Sequence, residues 1–156
     1  MVKWQKLALW VGLGTLSIGA GITIAEFTNS DKMVSACEEA IQKRLKAPSA
    51  YKRINLRASE RKLTEDEYKK YLDGQHESDA VKSISIRAFH EGDNTPKEFS
   101  YQIEYDAPNA FGTPIRSLSE CTYISANGTK PDSYLFVSID GQTTTDWLID
   151  MARKSR

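Results

Sequence analysis

The chain has 156 residues, and its 21 lysines and arginines balance its 21 aspartates and glutamates. A net charge of zero does not favour a nucleic-acid-binding protein, which usually carries a clustered basic excess. Without the apolar run near its N-terminus, the chain keeps roughly 130 residues, which is enough for one domain with its own core and too few for two.

The apolar run near the N-terminus begins at Leu7 and ends at Ala25. It contains no charged residue, and lysines precede it. As a helix it would be about 28 Å long, close to the roughly 30 Å hydrocarbon thickness of a bilayer. Lysines on its N-terminal side predict a cytoplasmic N-terminus and an exported C-terminal part.

The sequence therefore predicts two parts in a bacterial inner-membrane protein. Residues 1–27 form a cytoplasmic stub and a transmembrane signal anchor in the lipid bilayer, and residues 28–156 form one periplasmic or extracellular domain. Cleavage after Ala25 is the alternative, because a small residue ends the run as in a signal peptide. Cleavage would release the domain on the same side of the membrane.

Cys37 and Cys121 are the only cysteines in the chain. The predicted anchor places both in an oxidising compartment, where two cysteines normally form a disulfide. We therefore predict a Cys37–Cys121 bond, which would stabilise the domain by about 4 to 5 kcal/mol in the chain-entropy model. Lipidation of Cys37 is disfavoured, because charged residues separate it from the apolar run.

The predicted elements follow from apolar periodicity, capping residues and turn signals. Val34, Cys37 and Leu45 belong to a helical stripe that Asn29, Ser30 or Asp31 can cap. The later predicted elements are a strand over 51–58, a helix from the Thr64–Glu67 capping box to Gly74, a loop over 75–79, strands over 81–90, 99–106, 115–125 and 134–139, and a helix over 145–154.

The clearest strand alternates Phe99, Tyr101, Ile103 and Tyr105 with polar residues, as a half-buried antiparallel strand does. The order of elements predicts an α+β fold. After the transmembrane helix we expect a twisted antiparallel sheet, with one face covered by the helix that carries Cys37. The disulfide then links helix and sheet.

Short motifs at wide spacing give the chain a family resemblance. They are Cys37, Leu45-Lys46-Ala47-Pro48-Ser49, Asp106-Ala107-Pro108-Asn109-Ala110-Phe111-Gly112 with Arg116, and Cys121. The pattern resembles small uncharacterised bacterial domains that follow a membrane segment or another N-terminal module. The resemblance covers about residues 37–124 and implies an exported α+β domain with paired cysteines, without a known activity.

Two places are candidates for partner binding. The first is the loop that carries Asn109, Phe111 and Gly112 between two prolines. We expect Phe111 to fold back over the sheet edge, with anchoring of a partner as the alternative. The second is Trp147 on the last helix, whose apolar face is expected to close the core or, alternatively, to dock on anionic lipid headgroups.

The sequence contains no complete catalytic, metal-binding or nucleotide-binding motif. Ser49 with Lys52 and Ser59 with Lys62 have the Ser-x-x-Lys spacing of penicillin-binding enzymes but lack their other motifs. We therefore predict no cofactor, no metal site and no nucleic-acid partner. The predicted function is an interaction module that binds envelope proteins, with a homodimer as one form of partner. A small envelope hydrolase that uses a Ser-x-x-Lys pair is the alternative.

Overall fold

The computed structural model describes residues 31–109 and 111–155. Its elements are α1 (Lys32–Arg44), a 3₁₀ turn (Pro48–Ala50), β1 (Lys52–Lys62), α2 (Glu65–Gly74), α3 (Asp79–Glu91), β2 (Lys97–Pro108), β3 (Pro114–Ser125), β4 (Ser138–Ile139), β5 (Gln142–Thr143) and α4 (Thr144–Lys154). The strands form one antiparallel sheet in the order β1-β2-β3-β4-β5. The α+β prediction is therefore confirmed.

The predicted transmembrane anchor, residues 7–25, lies outside the described residues. Within the part of the chain that the structure describes, every helix is too short or too polar to cross a bilayer.

Helix α1 covers one face of the sheet. Asp31 caps it by accepting a hydrogen bond from the Met33 amide at 3.0 Å. The apolar stripe that predicted this helix is its buried face, which includes Val34, Cys37 and Ile41. This face packs against the buried side chains of β2. The predicted first helix and its burial are therefore confirmed.

The disulfide joins that helix to the sheet. Cys37 and Cys121 are bonded, with their Cα atoms 5.9 Å apart, and both side chains are fully buried. Cys121 lies opposite Tyr101 in the pairing of β2 with β3. The bond therefore links the middle of α1 to the centre of the sheet, as predicted.

The predicted strand over 81–90 is wrong, because these residues belong to helix α3. The Ser78 hydroxyl caps the helix at the Val81 amide, and Gly92 ends it with a left-handed φ of +80°. Ile86 packs against a second core cluster together with the aromatic ring of Phe89. The alternating apolar residues that suggested a strand do not share a buried face.

That second cluster lies under α2 and α3. Its buried members are Leu63, Tyr68 and Leu72, which the helical pair covers. The predicted capping box is present: Thr64 and Glu67 exchange hydrogen bonds between side chain and backbone at the start of α2. The second helix is confirmed, and it ends at Gly74 as predicted.

The predicted strand over 134–139 is mostly wrong. Only Ser138–Ile139 is strand, and a two-residue turn at Asp140 and Gly141 leads into β5. Both turn residues have positive φ, +52° and +78°, as a type I′ hairpin requires. The sequence pattern missed this hairpin because β4 and β5 are each too short to show alternation.

The last helix forms at the predicted place but does not close the core. Thr144 is its only buried residue among those described. Leu148 is 48% exposed and Met151 is 51% exposed. Trp147 is half-buried, so the expectation that this apolar face packs into the core is wrong for Leu148 and Met151.

Candidate partner-binding surfaces

The loop between β2 and β3 is fixed by a network centred on Asn109. The Asn109 side-chain oxygen accepts hydrogen bonds from the amides of Phe111 at 2.9 Å and Thr113 at 3.0 Å. The Asn109 amide donates to the Thr113 carbonyl, and the Gly112 amide donates to the Asn109 carbonyl. Gly112 has a φ of +80°, which explains why glycine suits this position.

Phe111 projects from this loop into solvent. Its side chain is 92% exposed, so the expectation that it folds back over the sheet edge is wrong. Ile115, at the start of β3, is also exposed. We call Asn109, Phe111, Gly112 and Ile115 the hairpin tip. Because hydrogen bonds already order the backbone around the aromatic ring, binding through this ring loses little conformational entropy.

An ion pair supports the base of the hairpin tip. Asp106 lies opposite Arg116 in the register of β2 and β3. The guanidinium donates to both carboxylate oxygens, at 3.0 and 3.2 Å, and Glu104 lies 3.7 Å from the same group. Hydrogen bonding to Arg116 holds the pKa of Asp106 below its usual range. The two motif residues therefore have a structural role in the hairpin.

The face of the sheet opposite α1 carries a shallow polar depression of about 280 Å³. The residues that line it come from all three long strands: Asn55, Arg57, Gln102, Glu104, Arg116, Ser117 and Leu118. Its lining mixes amide, guanidinium and carboxylate groups around one leucine. Such a surface can accept hydrogen-bonding side chains of a partner. The sequence indicated these outward positions only through strand alternation.

Trp147 lies apart from the hairpin tip, so the structure does not unite the predicted partner-binding residues. Its ring lies 5.7 Å from the Arg44 guanidinium, which donates to the carbonyls of Ile139 and Gln142. Ile139 pairs with Cys121, and β3 extends about 23 Å from Cys121 back to the hairpin tip. The exposed leucine and methionine of α4 are therefore a second, separate apolar surface.

The Ser-x-x-Lys pairs are not assembled as catalytic pairs in the described residues. Ser59 and Lys62 lie on β1, where residues three apart point to opposite faces. The Ser59 hydroxyl instead donates to the Ser100 carbonyl at 3.4 Å. Ser49 lies in the 3₁₀ turn and Lys52 begins β1, so they do not share one helical turn.

The histidines are also separate from one another. His90 lies 3.4 Å from the carboxylate of Glu65, and His76 lies in the turn between α2 and α3. Among residues 31–109 and 111–155, no three histidine, cysteine or acidic side chains are grouped closely enough to hold a metal ion.

No protein-family model, curated protein or solved structure matches this chain. The resemblance of residues 37–124 to exported bacterial domains therefore stays a prediction.

Proposed function

We propose that this chain is a membrane-anchored, extracytoplasmic module of the bacterial envelope that binds a protein partner through the hairpin tip. The observation that carries the proposal is the 92% exposure of Phe111 on a loop ordered by hydrogen bonds. Aromatic side chains in such positions are frequent anchors in protein interfaces. The apolar run of residues 7–25 supplies the proposed anchor.

The disulfide supports the extracytoplasmic part of the proposal. Cys37 and Cys121 are bonded and buried in the main core. Structural disulfides persist in exported proteins and are rare in the reducing cytoplasm. A buried bond between α1 and the sheet therefore fits a domain that folds outside the cytoplasm.

The position of the chain's entry into the domain supports the choice of the hairpin tip. Residue 31 follows the proposed anchor, and its carboxylate accepts a hydrogen bond from Tyr101 on β2. From Tyr101 to Pro108, the last residue before the hairpin tip, the strand extends about 23 Å. The tip is thus well separated from Asp31, the first described residue after the proposed anchor, which supports an approach of a second envelope protein to the tip.

Site-specific photocrosslinking tests the proposal. A photoreactive benzoylphenylalanine replaces Phe111 in one variant and Arg87, an exposed residue of α3, in the matched control. Irradiation of intact membranes is expected to give a discrete adduct at position 111 that is absent at position 87. The mass of the adduct distinguishes a second copy of this chain from a different protein.

Equal labelling at the two positions, or no adduct at position 111, would contradict binding through the hairpin tip. A Phe111→Ala chain expressed beside the photoreactive chain provides a further check. If the partner is a second copy that binds through its own Phe111, the Phe111→Ala chain is expected to be absent from the adduct.

A further inference from the structure

Strand β1 leaves one edge of the sheet open over 11 residues. One side of β1 pairs with β2, and in the described part of the chain no strand pairs with its other side, which we call the free edge. Only Arg53 and Leu56 of this strand are partly buried, and the remaining side chains are exposed. A long free edge offers unpaired backbone donors and acceptors to another extended chain.

Most of this edge has regular geometry. The pairing of β1 with β2 shifts once, between Arg53 and Asn55, and then continues without interruption to Lys62. Residues 55–62 therefore follow regular strand spacing, and among them the Leu56 amide already donates to the Asn55 side-chain oxygen at 2.9 Å. The opposite edge of the sheet, β5, has 2 residues and offers no comparable template.

The side chains of β1 give this edge a positive charge. Its basic residues are Lys52, Arg53, Arg57, Arg61 and Lys62, and its one acidic residue is Glu60.

Some of these charges are already paired. Lys97 contacts Glu60 at 3.1 Å, and Arg61 contacts Glu67 at 2.9 Å. Arg57 has no ion-pair partner among the described residues and lies beside the polar depression. Arg53 also pairs with Glu38, and Arg61 also pairs with Glu98. The positive excess of the strand therefore rests on Lys52, Arg57 and Lys62.

This charge pattern opposes one particular pairing with a second copy of the chain. An antiparallel self-pairing centred on Arg57 places Arg57 opposite itself. The same register places Lys52 opposite Lys62. Like charges directly across a strand pair are destabilising, so the charges select against this homodimer.

From the free backbone edge and its positive charge, we propose that β1 binds an extended, acidic segment of another protein as an additional strand. Backbone hydrogen bonds to residues 55–62 supply affinity, and alternating side chains of the segment supply specificity. Carboxylates on one face of the bound segment lie beside Arg57. Side chains of the segment on that same face reach the polar depression, which Arg57 also lines. This site is distinct from the hairpin tip and needs no contact with Phe111.

A peptide-binding measurement tests the charge requirement. The full-length chain in phosphatidylcholine nanodiscs is titrated into one of two fluorescent decapeptides. The Glu peptide alternates Glu and Thr, and the Lys peptide alternates Lys and Thr. We expect the Glu peptide to bind and the Lys peptide not to bind. Arg57→Glu is expected to weaken binding of the Glu peptide by about tenfold, whereas Arg87→Glu on α3 leaves it unchanged. Equal binding of the two peptides would overturn the proposal.

Hydrogen exchange separates strand addition from attachment by charge alone. Binding of the Glu peptide is expected to slow the exchange of alternate amides within residues 55–62. A Glu peptide with N-methyl groups on alternate residues keeps its charge but cannot complete the ladder, so it is expected to lose binding. Tight binding of the methylated peptide, or binding without protection of β1, would overturn the proposal. Phe111→Ala is expected to leave all these results unchanged, so the two sites can succeed or fail independently.

Discussion

One carboxylate, that of Asp31, joins three parts of the domain. It caps α1 at the Met33 amide and accepts hydrogen bonds from the Tyr101 hydroxyl and the Lys130 ammonium, each at 2.6 Å. Burial acts to raise the pKa of Asp31, but these hydrogen bonds outweigh it and hold the pKa below its usual value. The side chain is 12% exposed, so little solvent screens the interaction with Lys130.

Replacing Asp31 by Asn tests this connection. Because the folded-state pKa is lowered, the ionised carboxylate stabilises the fold at neutral pH, and this stabilisation is lost as pH falls through the lowered folded-state pKa. We expect Asp31→Asn to lower the free energy of unfolding by about 2 kcal/mol at pH 7. Urea unfolding at pH 7 and at pH 3 should show a smaller difference from wild type at the lower pH.

The matched control is Asp93→Asn, at an exposed position in the turn that follows α3. Surface changes of this kind usually alter stability by less than about 0.5 kcal/mol. Equal effects of the two substitutions at both pH values would contradict the role assigned to Asp31.

At the scale of elements, the disulfide fixes α1 on the sheet. The bonded residues are 84 positions apart, so the bond restricts a long loop in the unfolded chain. A Cys37→Ala, Cys121→Ala double variant is expected to lose about 4 kcal/mol of unfolding free energy. Chemical denaturation with and without reductant measures this loss. Reductant should destabilise the wild type and leave the double variant unchanged, and an insensitive wild type would contradict the stabilising role.

Strong local patterns explain which elements the sequence predicted correctly. The stripe of α1, the capping box of α2 and the alternation in β2 each agree with the tertiary contacts that bury them. The prediction for α3 was wrong because Ile84 and Ile86 alternate with polar residues as in a strand, although Ile84 is 61% exposed. Ser78 and Gly92 carried the correct helix signal at its ends.

Other features depend on contacts that no local pattern records. Asp140 holds the β4–β5 turn against β3 by accepting hydrogen bonds from the Ser119 hydroxyl and the Glu120 amide. The Asp140-Gly141 pair was the available sequence signal for this turn. The exposure of Phe111 depends on the turn that Asn109 stabilises. The sequence could therefore identify Asn109, Phe111 and Gly112 as a loop, but it could not predict that the Phe111 ring points into solvent.

At the scale of the whole molecule, neither proposed binding surface uses the face of the sheet that packs against α1. Helix α1 and the disulfide stabilise that face. The hairpin tip lies at one end of β2, and the free edge of β1 runs beside the open face. One partner, or two, can therefore bind without disturbing the main core.

The central claim is that the domain lies outside the cytoplasm and is held there by residues 7–25. Two variants, Phe111→Cys and Val2→Cys, each add one cysteine to the chain. Both are treated in spheroplasts with a membrane-impermeant maleimide, before and after permeabilisation. We predict labelling of the Phe111→Cys chain in intact spheroplasts and of the Val2→Cys chain only after permeabilisation. Labelling of Phe111→Cys only after permeabilisation would contradict the claim.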